Sequence, residues 1–347
     1  MEINNCPACG GKVEFSPDDM GLKCEKCAKV YPIEFKPAKE KKSLSHAIAE
    51  NEEGHKLWEE SKRTYQCQSC GAQIVLNKFD MASKCCYCNT TSLVHVDKLP
   101  GLKPDAVIPF KINKAKADEV FKGSIKKRMF LPNDFKKNLP NTVIGATYIS
   151  SFSFNIDAFA SYNGTRAITR TVHTKNGART TTYYVPFSGS INQNFPNIVI
   201  ESCDKIQQHQ INSILPYNFK DCYDYNDDFI TGYSVQYYDQ TVTKTTKKAE
   251  NVALRSLDNM IRRKHGSVHT LSINPKYSNH KYSYVLLPLY FINFKYKDKE
   301  YLNLMNGQTG TTSGKLPKSP VKITFFTLFI ILICIGLPLL VVLLSSL

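Results

Sequence analysis

Acidic residues are scarce in this 347-residue chain, with 30 Asp and Glu against 45 Lys and Arg, a formal charge of +15. That balance points to anionic partners, nucleic acid or an anionic lipid surface, rather than cationic ones. Enzyme signatures are missing as well. There is no Gly-x-Ser-x-Gly elbow. His265 and His269 stand four apart without the glutamate of a His-Glu-x-x-His site, and Gly266 interrupts them. The glycine-rich run Asn306–Lys315 evokes a phosphate loop, but its spacing is wrong and Leu316 follows the lysine. Asp227 and Asp228 read as turn residues rather than an acid/base couple. A leader is absent too: Met1–Cys6 holds no basic stretch followed by an apolar run, so no secretory signal is expected and the bulk of the chain should start in the cytosol. A hydrophobic content of 42% excludes a wholly disordered chain. The expectation is a folded protein that is not an enzyme and has no small-molecule substrate.

Cysteine is where the sequence is rich. Eight of the twelve cysteines form four Cys-x2-Cys pairs: Cys6/Cys9, Cys24/Cys27, Cys67/Cys70 and Cys85/Cys88. The same 14 residues separate the inner members in each set of two. Two such turns can point four soft ligands at one tetrahedral zinc ion, so the arrangement predicts two structural Zn²⁺ held by Cys6, Cys9, Cys24, Cys27 and by Cys67, Cys70, Cys85, Cys88. Four thiolates leave no open position for activating water. A disulfide framework does not suit a reducing compartment. Gly10 and Gly71 follow the first pair of each set, where a knuckle needs positive φ. Cys86 is a spectator, because a Cys86/Cys88 pair would break the spacing that the other three pairs share.

The organisation follows from these modules. Residues 1–37 form a first zinc ribbon, 38–63 a charged helical spacer, 64–98 a second ribbon, and 99–320 an α+β domain with mainly antiparallel sheet. In that domain Asn113 caps a helix reaching about Arg128 with Val120, Phe121 and Ile125 inward. Residues 143–162 and 167–187 read as strands around an Asn176-Gly177 turn. Asp204–Leu215 reads as a short helix and Phe229–Thr243 as a strand. Lys244–Lys264 reads as an amphipathic helix with Val252, Leu254, Leu257 and Ile261 on its apolar side. Tyr282–Tyr296 and Glu300–Met305 make a closing hairpin.

A long apolar run appears once. Ile323–Leu344 carries no charge and is long enough to predict a transmembrane helix over 321–344. Lys315, Lys318 and Lys322 precede it, so the N-terminal domains are expected in the cytoplasm and residues 345–347 beyond the membrane. Positive charge concentrates over residues 103–137, with ten basic and four acidic residues, and over 244–264, with seven and two. These windows read as solvated helix faces, or as a stripe facing anionic lipid.

Several segments together carry a family likeness: the paired Cys-x2-Cys-Gly turns, Pro104-Asp105-Ala106-Val107-Ile108-Pro109-Phe110-Lys111, the stretch from Pro216-Tyr217 to Phe229-Ile230-Thr231-Gly232-Tyr233, and Met305-Asn306-Gly307-Gln308-Thr309-Gly310. The chain resembles bacterial membrane-anchored TFIIB-type zinc-ribbon proteins, the YdjG-like family. The likeness implies a non-enzymatic membrane protein in an envelope-stress setting, and it carries over the eight cysteine ligands alone. One departure is Cys86, where such proteins tend to have proline. The combined expectation is a tail-anchored adaptor in the cell membrane whose ribbons bind membrane proteins or membrane-associated scaffold proteins. The rival is a membrane-tethered nucleic-acid binder, and a third reading is an enzyme with a scattered site.

Overall fold

The computed structural model describes residues 5–44, 62–77, 84–97, 102–138, 142–174, 177–203, 206–237 and 240–345. Its N-terminal part is a small antiparallel sheet of β1 (Val13–Ser16), β2 (Gly21–Cys24) and β3 (Val30–Pro32). Alternation sets its inner face: Val13, Phe15 and Leu22 are buried. Phe15 continues into the main body, where its ring meets Phe229 at 5.7 Å and its backbone N–H donates to Thr231 O.

The helical spacer expected over 38–63 falls mostly outside the described residues. Two of its residues are described in a strand, β4 (Lys42–Ser43), on the main sheet. The second cysteine set sits on β5 (Lys62–Cys67), β6 (Gln73–Asn77) and β7 (Leu93–Val96), and the short β8 (Ala106–Val107) follows. Helix α1 (Lys114–Lys126) begins as expected: Asn113 Oδ1 accepts from the Lys116 amide at 2.7 Å. Ala117, Phe121 and Ile125 are its buried residues, and α2 (Asn133–Lys137) buries Phe135.

Two very long strands come next, β9 (Val143–Thr174) and β10 (Gly177–Glu201). They pair antiparallel along almost their whole lengths. The break expected between 162 and 167 does not occur. After α3 (Gln208–Asn212) come β11 (Tyr223–Asp224), a 3-10 turn at Asp227–Ile230, and β12 (Ser234–Gln236), so the single strand expected over 229–243 is a turn followed by three strand residues. Helix α4 (Val242–His265) buries Ala249, Ala253, Leu257 and Ile261, while Val252 and Leu254 are only half-buried. Small residues at its centre let the helix lie close against the sheet. The chain closes the sheet with β13 (Val268–Tyr296), β14 (Lys299–Asn306) and β15 (Thr312–Gly314).

One mixed 12-stranded sheet dominates the protein. Most pairs are antiparallel, but β12 runs parallel to β9 and β8 parallel to β13. The strands of the second cysteine set belong to this sheet through β6 and β12, so they are its margin and not the separate ribbon that 64–98 suggested. The reason is non-local: the partner strand lies some 160 residues further along the chain.

The C-terminal expectation also needs correction. Helix α5 (Pro320–Ser345) forms, and Phe325, Leu328 and Leu332 stand exposed on it. Its side chains are described as far as Gly336. At about 1.5 Å per residue that portion rises roughly 25 Å, short of a hydrocarbon core of about 30 Å. Among the described residues no helix is long and apolar enough to cross a membrane. The spanning helix over 321–344, the tail anchor, the cell-membrane location with cytoplasmic domains and the extracytoplasmic tail 345–347 are therefore overturned, and with them the membrane-bound adaptor.

Candidate metal centres

Each cysteine set closes into one cluster, Cys6, Cys9, Cys24 and Cys27 in the first, Cys67, Cys70, Cys85 and Cys88 in the second, with all four Sγ atoms of a set within 4.8 Å of one another. The backbone explains the convergence. In the first knuckle the Gly10 amide donates to Cys6 O at 2.8 Å, and in the second Gly71 donates to Cys67 O at the same distance. Both glycines take positive φ, +68° and +69°, as such a turn requires. The other two knuckles match each other equally well. Ala28 and Asn89 donate to Cys24 O and Cys85 O, and they adopt φ of 57° and 60°. Nothing in the spacing revealed these two left-handed positions, since neither residue is glycine.

The sulfur geometry fits a tetrahedral ion. Ligands about 2.3 Å from such an ion stand about 3.8 Å apart. The Sγ atoms of Cys6 and Cys27 are 3.6 Å apart and those of Cys9 and Cys24 3.5 Å; in the second cluster Cys67 to Cys88 is 3.6 Å and Cys70 to Cys85 3.7 Å. Either group could hold a metal ion.

Each cluster also has a hydroxyl donor that sequence reasoning missed. The Tyr31 hydroxyl lies 3.1 Å from Cys6 Sγ and brings that thiol down to about 6, while the phenol itself is pushed up to about 12. Burial opposes ionisation of Cys67, yet the Thr90 hydroxyl and the amides of Cys70 and Ser69 bring it to about 6 as well. Both clusters are thus built to favour a thiolate, the form that binds metal.

Cys86 lies outside the second cluster, buried against Ile74 and Phe291 in the sheet's core. Its neighbour Tyr87 packs on Phe291 at 4.6 Å, and Asn293 Nδ2 donates to Tyr87 O. Gly145 completes this buttress: a Cβ there would come within 2.8 Å of the Cys86 carbonyl.

The basic windows are less free than their sequence implies. Lys122 pairs with Asp118, Lys116 with Glu119, Lys111 with Asp221, and Arg262 with Asp258. Near the first cluster Lys12 pairs with Glu14 and Lys23 with Asp19. Much of the charge counted along α1 and α4 is balanced locally.

The Asn306–Gly310 turn is a staple and not a phosphate cradle. Asn306 Nδ2 donates to the carbonyls of Ile214 and Pro216, and its Oδ1 accepts from the amides of Gln308 and Thr309. Gln308 accepts from the Asn218 amide and donates back to Asn218 O. Gly307 lies so close to Phe110 that a Cβ would meet its ring at 2.5 Å, and the Lys111 amide donates to Gly307 O. Three of the segments behind the family likeness therefore meet at one buried locus.

The site class is thus a pair of four-thiolate knuckles, one beside and one within a large mixed β-sheet. Over 322 residues the chain is 24% identical to the uncharacterized protein YdjG of Bacillus subtilis (strain 168), spanning 92% of this chain and 91% of that one. No family model matches the chain. No solved structure matches it either.

Proposed function

We infer that this is a non-enzymatic binding protein in which each cysteine cluster holds one structural Zn²⁺, in zinc-ribbon fashion. The observation that carries the reading is the closed sulfur geometry, with four Cys Sγ at near-tetrahedral separations in both clusters. An all-thiolate set selects zinc or an iron–sulfur centre, and a single tetrahedral ion with no vacant position suits a structural role. The likeness to the uncharacterized relative supports a shared scaffold. Metal locks the knuckles, the knuckles fix the sheet's margin and its N-terminal neighbour, and the sheet presents surfaces to a macromolecular partner.

Metal analysis of full-length protein purified under reducing conditions tests this directly. The expected result is about two zinc per chain, one for each cluster. Iron with an absorbing chromophore, or no metal in folded protein, refutes the assignment. Turnover lost on mutating a non-cysteine residue would refute the non-enzymatic part.

A further inference from the structure

The hairpin of β9 and β10 outruns the rest of the sheet. Strand β13 accompanies β9 only as far as Val268 opposite Arg166, and beyond that point the described residues form two strands alone. From Ala158 to Ile200 the sequence has no Asp or Glu, whereas Arg166, Arg170, Lys175 and Arg179 are basic. Paired residues share a face, so the register sorts these side chains. Arg166, Ile168, Arg170 and Val172 lie on one face with Arg179, Tyr183 and Val185. The opposite face carries a threonine ladder, Thr169 against Thr182 and Thr171 against Thr180, with hydroxyls 3.4 and 3.1 Å apart.

The three arginines are exposed and, among the described residues, have no carboxylate partner, unlike the paired cations of α1 and α4. Tyr183 and Val172 are exposed between them. Of the chain's eight arginines, three are on this face and three more, Arg255, Arg262 and Arg263, are on α4. The C-terminal end of α4 meets the root of the hairpin, where His265 stacks on Phe187 at 4.2 Å and lies 3.2 Å from Tyr162 Oη. Guanidinium is the side chain suited to bidentate contact with phosphate and guanine.

We propose that this hairpin is an arm for double-stranded DNA, entering the major groove with its arginine face inward. A two-stranded ribbon fits a B-form major groove about 12 Å wide and about 8.5 Å deep. The rise of an antiparallel strand, about 3.4 Å per residue, equals the rise per base pair of the duplex. Arg166 and Arg170 therefore lie about four base steps apart, and Arg179, opposite Val172, extends the row by about two more. Charge complementarity favours a polyanion. The apolar side chains are interleaved with arginines, which suits a polar groove better than the acyl region of a bilayer. The deep, narrow major groove of A-form RNA would not admit the ribbon.

The proposal names a partner for the binding platform inferred above and rests on it only in needing the sheet folded. Fluorescence anisotropy of the full chain, titrated with a DNA duplex of about 20 base pairs over about 50–200 mM salt, tests it. Wild type should bind with a steep inverse dependence on salt. Arg166→Ala/Arg170→Ala/Arg179→Ala should weaken binding at least about tenfold and flatten the slope of log K on log salt by about 2.7, or about 0.9 per lost phosphate contact. The corresponding triple Lys variant should keep most of that slope. Zinc content and melting temperature should match wild type in both variants, which separates a silent arm from a collapsed sheet. The proposal falls if wild type does not bind the duplex, if the triple Ala variant binds it unchanged, or if an RNA duplex or anionic phosphatidylglycerol vesicles are bound in preference.

Discussion

Replacing Cys24 and Cys27 together by serine separates the metal's contribution from that of the fold. Without those sulfurs the first cluster keeps only Cys6 and Cys9, too few to hold a structural ion. What then remains to order β1–β3 is three buried apolar side chains, Val13, Phe15 and Leu22. At about 1.5–3 kcal/mol each they supply about 5–9 kcal/mol. A structural zinc in a comparable small module contributes about 10–16 kcal/mol, more than the residual core can replace. The first module should therefore unfold locally while the 12-stranded sheet persists, because its strands pair with one another and not with β1–β3. Hydrogen–deuterium exchange with peptide resolution reads this. Amides of residues 12–24 should exchange at near-unfolded rates, those of β9 and β13 should stay protected, and bound zinc should fall to about one per chain. Unchanged protection across 12–24 in a protein with a single zinc would refute the reasoning.

Two further outcomes follow from the packing. Asn306→Ala removes a buried amide that donates to Ile214 O and Pro216 O, so urea unfolding should show a loss of about 3 kcal/mol; a loss below about 0.5 kcal/mol would show that the staple is dispensable. Asp157 accepts hydrogen bonds from Asn194 and Asn279, which hold its carboxyl below the ordinary 3.8. Its contribution is present above the unfolded-state value and is lost as pH falls through the lower folded value, so Asp157→Asn should melt with a shallower dependence between about pH 5 and pH 3. Parallel melting curves for variant and wild type would rule that out.

Local features were legible in the sequence and pairings between distant segments were not. The cysteine spacing contained the clusters, because a knuckle needs only four residues and a fixed turn. The Asn113 cap and the hairpin of β13 with β14 were readable for the same reason. The continuous strand β9 was hidden by Asn163-Gly164, which read as a break. Pairing on both sides, with Asn163 and Gly164 opposite Ser188 and Phe187 on β10 and opposite Ser272 and Leu271 on β13, overrides that local preference. The face of α4 was misjudged because leucine drew attention, whereas Ala249 and Ala253 make the close approach to the sheet. Merging of the second cluster into the main sheet depends on β12, and no local pattern announces such a partner.

The order in which the sheet is laid down has a consequence for how the protein is made. Strand β9 needs β13 on one side, and β13 ends at Tyr296, so the centre of the sheet stays open until most of the chain has left the ribosome. The first knuckle pair is complete by Cys27 and can capture its ion in the nascent chain, long before the second pair finds its neighbour strand β12. Biogenesis is therefore expected to be vectorial, with an early metal-sealed N-terminus and a late cooperative closure. A shortage of zinc during synthesis would be felt first at the end that is translated first.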